Sequence, residues 1–442
     1  MHAHDRRLNE SAAARRRRAR RPASRGRRVT AAAAAATAAL AAILLVAACG
    51  GSSGQGASAS PSPTTPAVSI VITPKGGQHV GPQKRIVVKA IDGQLVEVSI
   101  DTKGEPVTGA LDPSSTVWRS HGTLNTSTRY VVHATARDAA GRMLTAKRTF
   151  RTLTPHTTFT AQIFEGHGLS YGVGMPVMLT FSRPVEDRAA VERALHLWTS
   201  RPVVGAWYWD GSSTLWFRTR KYWPAHTEVR FVGNLDGVEA SPGVYGTHTL
   251  KQSFLIGESL IAVADTRAHH IRIYRDRHLF ANWPISSGRP GKETPNGTYL
   301  TIEKQNPAHM KGPGYDLQVP WSVRFTWSGD YVHDAYWSVG SQGFANVSHG
   351  CVNLSPANAE TYYKIAVPGD PVTISGSPKA GKWDDGWTVW FLTWKQLLKG
   401  SALHKAVRVG PQGSTLVAPS TLHPTKTKSP LGGPKPGNAA AS

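Results

Sequence analysis

At 442 residues the chain is too long for one ordinary domain, and its 43 Gly and 30 Pro argue for a turn-rich, strand-based protein over a helical one. A formal net charge of +23 suits an anionic partner, yet there is no zinc-finger spacing and no basic helix interleaved with aromatics, which argues against nucleic acid. Only two cysteines exist, Cys49 and Cys351, so a disulfide scaffold is excluded.

Residues 1–48 have the organisation of an export signal. Residues 1–30 hold eleven Arg against one Asp and one Glu, which supplies nine of the net positive charges. An Ala-rich apolar run from Ala31 to Ala48 follows, marginal for a permanent membrane span. It ends in Val46-Ala47-Ala48-Cys49-Gly50, which resembles the bacterial lipobox, and that resemblance implies lipidation of Cys49. Acyl chains contribute about 0.8 kcal/mol per buried methylene, so two or three of them anchor a protein durably. The competing reading is a plain signal peptide or uncleaved anchor in which Cys49 is incidental. The export route, general or twin-arginine, stays open. Residues 49–67, rich in Gly, Ser, Ala, Pro and Thr and without charge, are expected to be a flexible tether reaching at most about 60 Å.

From 68 to 155 short alternating runs such as Leu95-Val96-Glu97-Val98-Ser99-Ile100 and Tyr130-Val131-Val132-His133-Ala134-Thr135 are broken by turn signals. Period-two alternation at that spacing predicts a β-sandwich of immunoglobulin-like size. A second module of similar length, 156–257, carries Leu179-Thr180-Phe181-Ser182, Trp207-Tyr208-Trp209 and Tyr222-Trp223. Aromatic clusters of this kind more often pack a core than present a ligand platform. Whether these modules bind wall or only act as spacers is left open.

Residues 258–376 form the third unit. Strands are predicted at Ile261–Asp265 and His270–Tyr274, and a helix after Ser355-Pro356, with Ser as cap and Pro in the first turn. The Trp-rich piece 377–408 (Trp383, Trp387, Trp390, Trp394) is expected to pack back on this unit, and residues 409–442 to be disordered.

The most informative stretch is Ser348-His349-Gly350-Cys351-Val352-Asn353. An acyl-transfer cysteine needs a base, donors for a developing oxyanion, and backbone room beside the sulfur, which Gly350 would offer. His349 is adjacent in sequence, but a histidine from a neighbouring strand makes a better base. His333, in the strand-like Tyr331-Val332-His333, is separated from Ser348 by fourteen intervening residues. A zinc site from His333, His349 and Cys351 is the metal alternative, though no second cysteine or paired-histidine spacing supports it. A structural cysteine in a chance motif is the other.

The spacing H-x14-S-H-G-C-V-N, with the Gly288-Arg289-Pro290-Gly291 and Thr294-Pro295-Asn296-Gly297 turns, resembles the signature of L,D-transpeptidases with a YkuD-like catalytic domain. The likeness covers roughly 258–400, and the module before it resembles the Ig-like domain of actinobacterial members. The implied architecture is mainly β: two Ig-like β-sandwich domains, then a β-rich catalytic domain with one or two short helices. The resemblance implies Cys351 as nucleophile and His333 as general base, oriented by the Asp334 backbone carbonyl. It implies Tyr315 and the amides of Gly350 and Cys351 as oxyanion donors. Ser328, Gly329, Trp337 and Asn353 are expected to line the substrate groove or hold the motif loop, which Ser348 and His349 complete, and Met310 to sit on a flap. Asp334 departs from the small polar residue expected after the histidine. The implied reaction is 3→3 cross-linking of peptidoglycan stem peptides through a cysteine thioester, with release of D-Ala, no metal and no cofactor. β-Lactams of the carbapenem class are the implied inhibitors. Rival functions are an L,D-carboxypeptidase, a protein-to-wall ligase, and a non-catalytic wall-binding spacer. The implied location is the outer face of the cytoplasmic membrane, anchored by lipid.

Overall fold

The computed structural model describes residues 67–312 and 314–417. The Arg-rich segment, the apolar run, Cys49 and most of the tether lie outside the described residues.

The first module forms because its strands alternate. In Arg129–Arg137 every second residue is buried, so one face of the strand packs while the other meets water. It belongs to a four-stranded sheet with Gln94–Thr102, Met143–Thr152 and Gly77–Val80. A second four-stranded sheet (Ser69–Thr73, Val87–Ile91, Val117–Ser120, Gly109–Leu111) faces it. Between them Ile86, Trp118, Leu124, Tyr130 and Phe150 fill the core.

The second module is also built on two main sheets. Val177–Phe181, Thr214–Thr219 and Val203–Asp210 lie in one, and Thr227–Asn234 and Thr249–Ile256 in the other. Its aromatic cluster is core: Trp207, Trp209 and Trp223 are all buried.

The C-terminal segment departs from expectation in two ways. Trp383, Trp390 and Trp394 pack chiefly against the core of the second module, and Trp387 is buried within that same core. Residues 409–417 are ordered: Ala406–Gly410 pairs with Val203–Gly205, and Gly413–Val417 forms a hairpin with it, extending the second module's sheet. The reason is an unpaired strand edge at Val203–Asp210, which the returning chain covers while burying Val407 and Val409. Glu192, buried in the second module, clamps the segment. Its carboxylate accepts from Trp209 Nε1 (2.8 Å), Ser401 Oγ (2.7 Å) and the Ala402 amide (2.7 Å). The segment also reaches the third unit, where Phe391 meets Tyr299 edge-on at 5.1 Å. It straps the two units together.

The third unit holds a five-stranded sheet: His278–Pro284, His270–Arg275, Leu260–Asp265, Pro371–Ser375 and Gly297–Leu300. A four-stranded sheet (Glu303–Gln305, Ser322–Arg324, Tyr331–Asp334, Val352–Leu354) packs near it, with Ile273, Phe325, Val332, Val352 and Tyr362 in the shared core. The helix Pro356–Ile365 starts at the N-cap Ser355, as expected, but the serine side chain makes no capping hydrogen bond. Short helices not foreseen are Arg188–Arg193, capped by Asp187, and Trp394–Lys399, whose Thr393 and Gln396 form a reciprocal capping box.

The candidate active site

Parallel pairing builds the site. Tyr331–Asp334 runs alongside Val352–Leu354 with His333 opposite Asn353. Paired residues of a parallel ladder point to the same face, so His333 and Asn353 share one side of the sheet, and Cys351 sits in the bend immediately before that strand. Residues fourteen or more apart in sequence thereby become neighbours.

His333 is buried, and its Nδ1 lies 2.5 Å from the carbonyl oxygen of Asp334. That contact assigns the ring proton to Nδ1 and leaves Nε2 as the basic nitrogen. Burial pushes the imidazole down to about 4, against the small upward pull of the carbonyl. Cys351 is half-buried, with Sγ 3.8 Å from the Gly329 carbonyl oxygen. Burial, reinforced by the Asp330 carboxylate, pushes its thiol up to about 12. At neutral pH the resting pair is therefore thiol and neutral imidazole, not an ion pair.

The motif loop is held from several sides. Ser348 Oγ donates to the Cys351 carbonyl (2.6 Å) and accepts from the Gly350 amide (3.2 Å). Thr294 Oγ1 donates to the Gly350 carbonyl at 2.6 Å, which explains the Thr-Pro-Asn-Gly turn beside the motif. Asn353 is buried, and its Nδ2 donates to Ser338 Oγ at 2.9 Å, tying the motif to the helical turn Tyr336–Ser341. Trp337 on that turn is half-exposed, with its ring 6.0 Å from that of His333.

Other expected residues sit differently from their assigned roles. The Gly350 amide already donates to Ser348, which leaves the Cys351 amide and the Tyr315 hydroxyl as the oxyanion donors to consider. Gly350 lacks a Cβ for a reason other than acyl access: at φ +142 a Cβ there would collide with Asp330 Oδ1. His349 is exposed and its ring makes none of the hydrogen bonds of the described residues; it lies 5.1 Å from the ring of Tyr315. Burial, with Arg289 and Lys292 nearby, lowers its basicity. Tyr315 opens the strand Tyr315–Val319, which pairs with Ala308–Gly312 in a hairpin carrying Met310 opposite Leu317. Burial raises the Tyr315 hydroxyl, and the nearby Cys351 and Asp330 add to the rise. Ser328 is exposed and bonded through its amide (2.6 Å) and Oγ (2.7 Å) to Asp385, so it ties the site to the C-terminal segment.

Sequence reasoning missed Asp330 and Thr294. Thr294 lay inside a quoted turn, and its hydroxyl between two glycine-rich segments was the available signal. Asp330 carried none.

Residues 259–374 match the L,D-transpeptidase catalytic domain family, and residues 77–239, which span parts of both sandwich modules, match the bacterial Ig domain family. L,D-transpeptidase 2 of Mycobacterium tuberculosis is 32% identical over 324 residues, 69% of this chain and 79% of the relative. L,D-transpeptidase 5 of the same species is 33% identical over 338 residues, 73% of this chain and 74% of the relative. This chain belongs to the L,D-transpeptidase family. A solved L,D-transpeptidase in complex with imipenem is 36% identical over 50% of this chain and 100% of its own, with a TM-score of 0.43. As an L,D-transpeptidase the chain combines an Ig-type N-terminal region with a catalytic domain, and His333, Cys351 and the Tyr315 hairpin all fall within the catalytic match.

Proposed function

We propose that this L,D-transpeptidase forms 3→3 cross-links between peptidoglycan stems through a thioester on Cys351. The observation that supports the reading is the parallel pairing that sets the His333 strand beside the strand directly following Cys351, with Nδ1 of the base held by the Asp334 carbonyl. Cys351 attacks the carbonyl of the third residue of a tetrapeptide stem; the sulfur proton passes to His333 Nε2. The tetrahedral oxyanion is met by the Cys351 amide and the Tyr315 hydroxyl. It collapses by breaking the bond to D-Ala, whose amine takes the proton from His333. The side-chain amine of a second stem then attacks the thioester, and the sulfur leaves as thiol. No metal or organic cofactor takes part. A strained β-lactam carbonyl is a substrate of the same chemistry, so carbapenems are proposed to acylate Cys351.

Mass spectrometry of muropeptides after incubation with the purified protein tests this. The expected products are free D-Ala and a 3→3 dimer. Tripeptide alone would instead mark an L,D-carboxypeptidase, stem transferred to a protein amine would mark a ligase, and unchanged stems would mark a wall-binding spacer.

Export and lipid anchoring through Cys49 are proposed on the lipobox-like Val46–Cys49 run and the Arg-rich segment before it. Mature protein is expected to begin at an acylated Cys49 and to partition into detergent, and Cys49→Ser to abolish that partitioning. A mature N-terminus beyond Gly50 without lipid would overturn the anchor.

A further inference from the structure

Asp330 lies at the nucleophile without a role in the steps above. Its Oδ1 rests where a side chain on Gly350 would project, one residue from Cys351. The preceding carbonyl, Gly329, faces the sulfur. The residue is pinned: its amide donates to Thr326 Oγ1 at 2.7 Å and its carbonyl accepts from the Phe325 amide at 3.0 Å. Among the described residues no Lys, Arg or His lies within salt-bridge distance of its carboxylate. The other charged groups that act on it are Asp385, which disfavours its ionisation, and Lys379, which favours it.

An unpaired anion beside a cysteine is a liability for the first half-reaction, because it opposes development of negative charge on sulfur. After acylation the sulfur is a neutral thioester and the liability disappears. The carboxylate then lies close to the thioester that the second substrate must reach. The surroundings of His349 are basic through Arg289 and Lys292, both exposed, and suit the carboxylate end of a donor stem.

We propose that Asp330 is a specificity-determining residue that binds the ammonium of the acceptor stem beside the Cys351 thioester. The inference rests on the acyl-transfer reading above. The ammonium gives one proton to the carboxylate, which passes it to solvent. The free amine attacks the thioester carbonyl, the C–N bond forms and the C–S bond breaks. The second amine proton goes through His333 to the departing sulfur, which restores the thiol. Burial sets the Asp330 carboxyl at about 6, close to the value useful for taking a proton near neutral pH.

The test uses purified full-length protein acylated by a tetrapeptide donor, with the acyl-enzyme partitioned between water and a diamino-acid stem. Asp330→Asn is expected to raise the acceptor KM and to lower the aminolysis-to-hydrolysis ratio by about tenfold or more, the size of one charge-assisted contact. Asp330→Glu, which keeps the charge, is expected to hold the ratio within about threefold of the wild type. An unchanged ratio in Asp330→Asn, or equal losses in both variants, overturns the proposal. A wild-type measurement decides independently of variant folding. An N,N-dimethylated acceptor, cationic but unable to form a stable amide, should inhibit aminolysis, whereas the N-acetylated acceptor should not. Equal inhibition by the two overturns the proposal. If no acyl-enzyme forms on wild-type Cys351, the acyl-transfer reading falls and this one with it. If it forms and the ratio ignores Asp330, only this inference falls.

Discussion

Cys351→Ala is expected to abolish both cross-linking and acylation by meropenem, a loss of at least about 10⁴-fold, the scale seen when a covalent nucleophile is removed. Every proposed step passes through the sulfur, and Cys351 is the one free thiol among the described residues. The fold should survive. No disulfide is lost, the residue is only half-buried, and the loop around it is held by Ser348, Thr294 and Asn353 through bonds that do not involve the sulfur. A melting temperature near that of the wild type, together with an unmodified intact mass after meropenem, is the expected pair of readings. An adduct of the same mass on the Ala variant would remove Cys351 from the mechanism.

The second large effect separates two histidines. His333→Gln is expected to slow acylation by about 10²–10⁴-fold, the range for loss of a positioned general base. His349→Gln should cost far less, because its ring is exposed, lies against Tyr315 and takes part in none of the described hydrogen bonds. Rates of meropenem adduct formation for the two variants, measured side by side, decide the matter; the reverse order would exchange their roles. The resting thiol is not expected to show thiolate absorbance at neutral pH, since burial holds the sulfur protonated and the imidazole neutral. His333 also predicts a stability profile. Its value in the folded protein, about 4, lies below the 6.5 of an unperturbed histidine, so between these the unfolded chain binds more protons. Stability from this group is complete above about 6.5 and is lost as pH falls towards 4. Urea midpoints of the wild type across that window should fall more steeply than those of His333→Gln.

Much of the fold was legible because it depends on local pattern. Alternation in Arg129–Arg137 and Leu260–Asp265 marks strands with one packed face, and Ser355-Pro356 marks a helix start. The same rule failed after residue 376. Which surface a Trp-rich segment covers is decided by the free strand edge at Val203–Asp210 and the carboxylate of Glu192, both about two hundred residues away in the chain. Local composition holds no record of them.

The candidate nucleophile and base were readable from H-x14-S-H-G-C-V-N, because a chemical requirement for thiol, imidazole and glycine constrains residue types and spacing. Their protonation states were not. The depressed His333 and the raised Cys351 come from desolvation, which depends on what the fold stacks above them. Nor could sequence alone settle why Gly350 is glycine. The motif suggested room for an acyl group, whereas the space is taken by the carboxylate of Asp330 across the parallel strand pair. Sequence by itself determined the family and the strand-rich modules and singled out the two candidate reactive side chains, since these follow from residue type and short-range periodicity. The pairing register, the burial and the unpaired charge at the sulfur were decided only by tertiary structure, because each is set by residues distant along the chain.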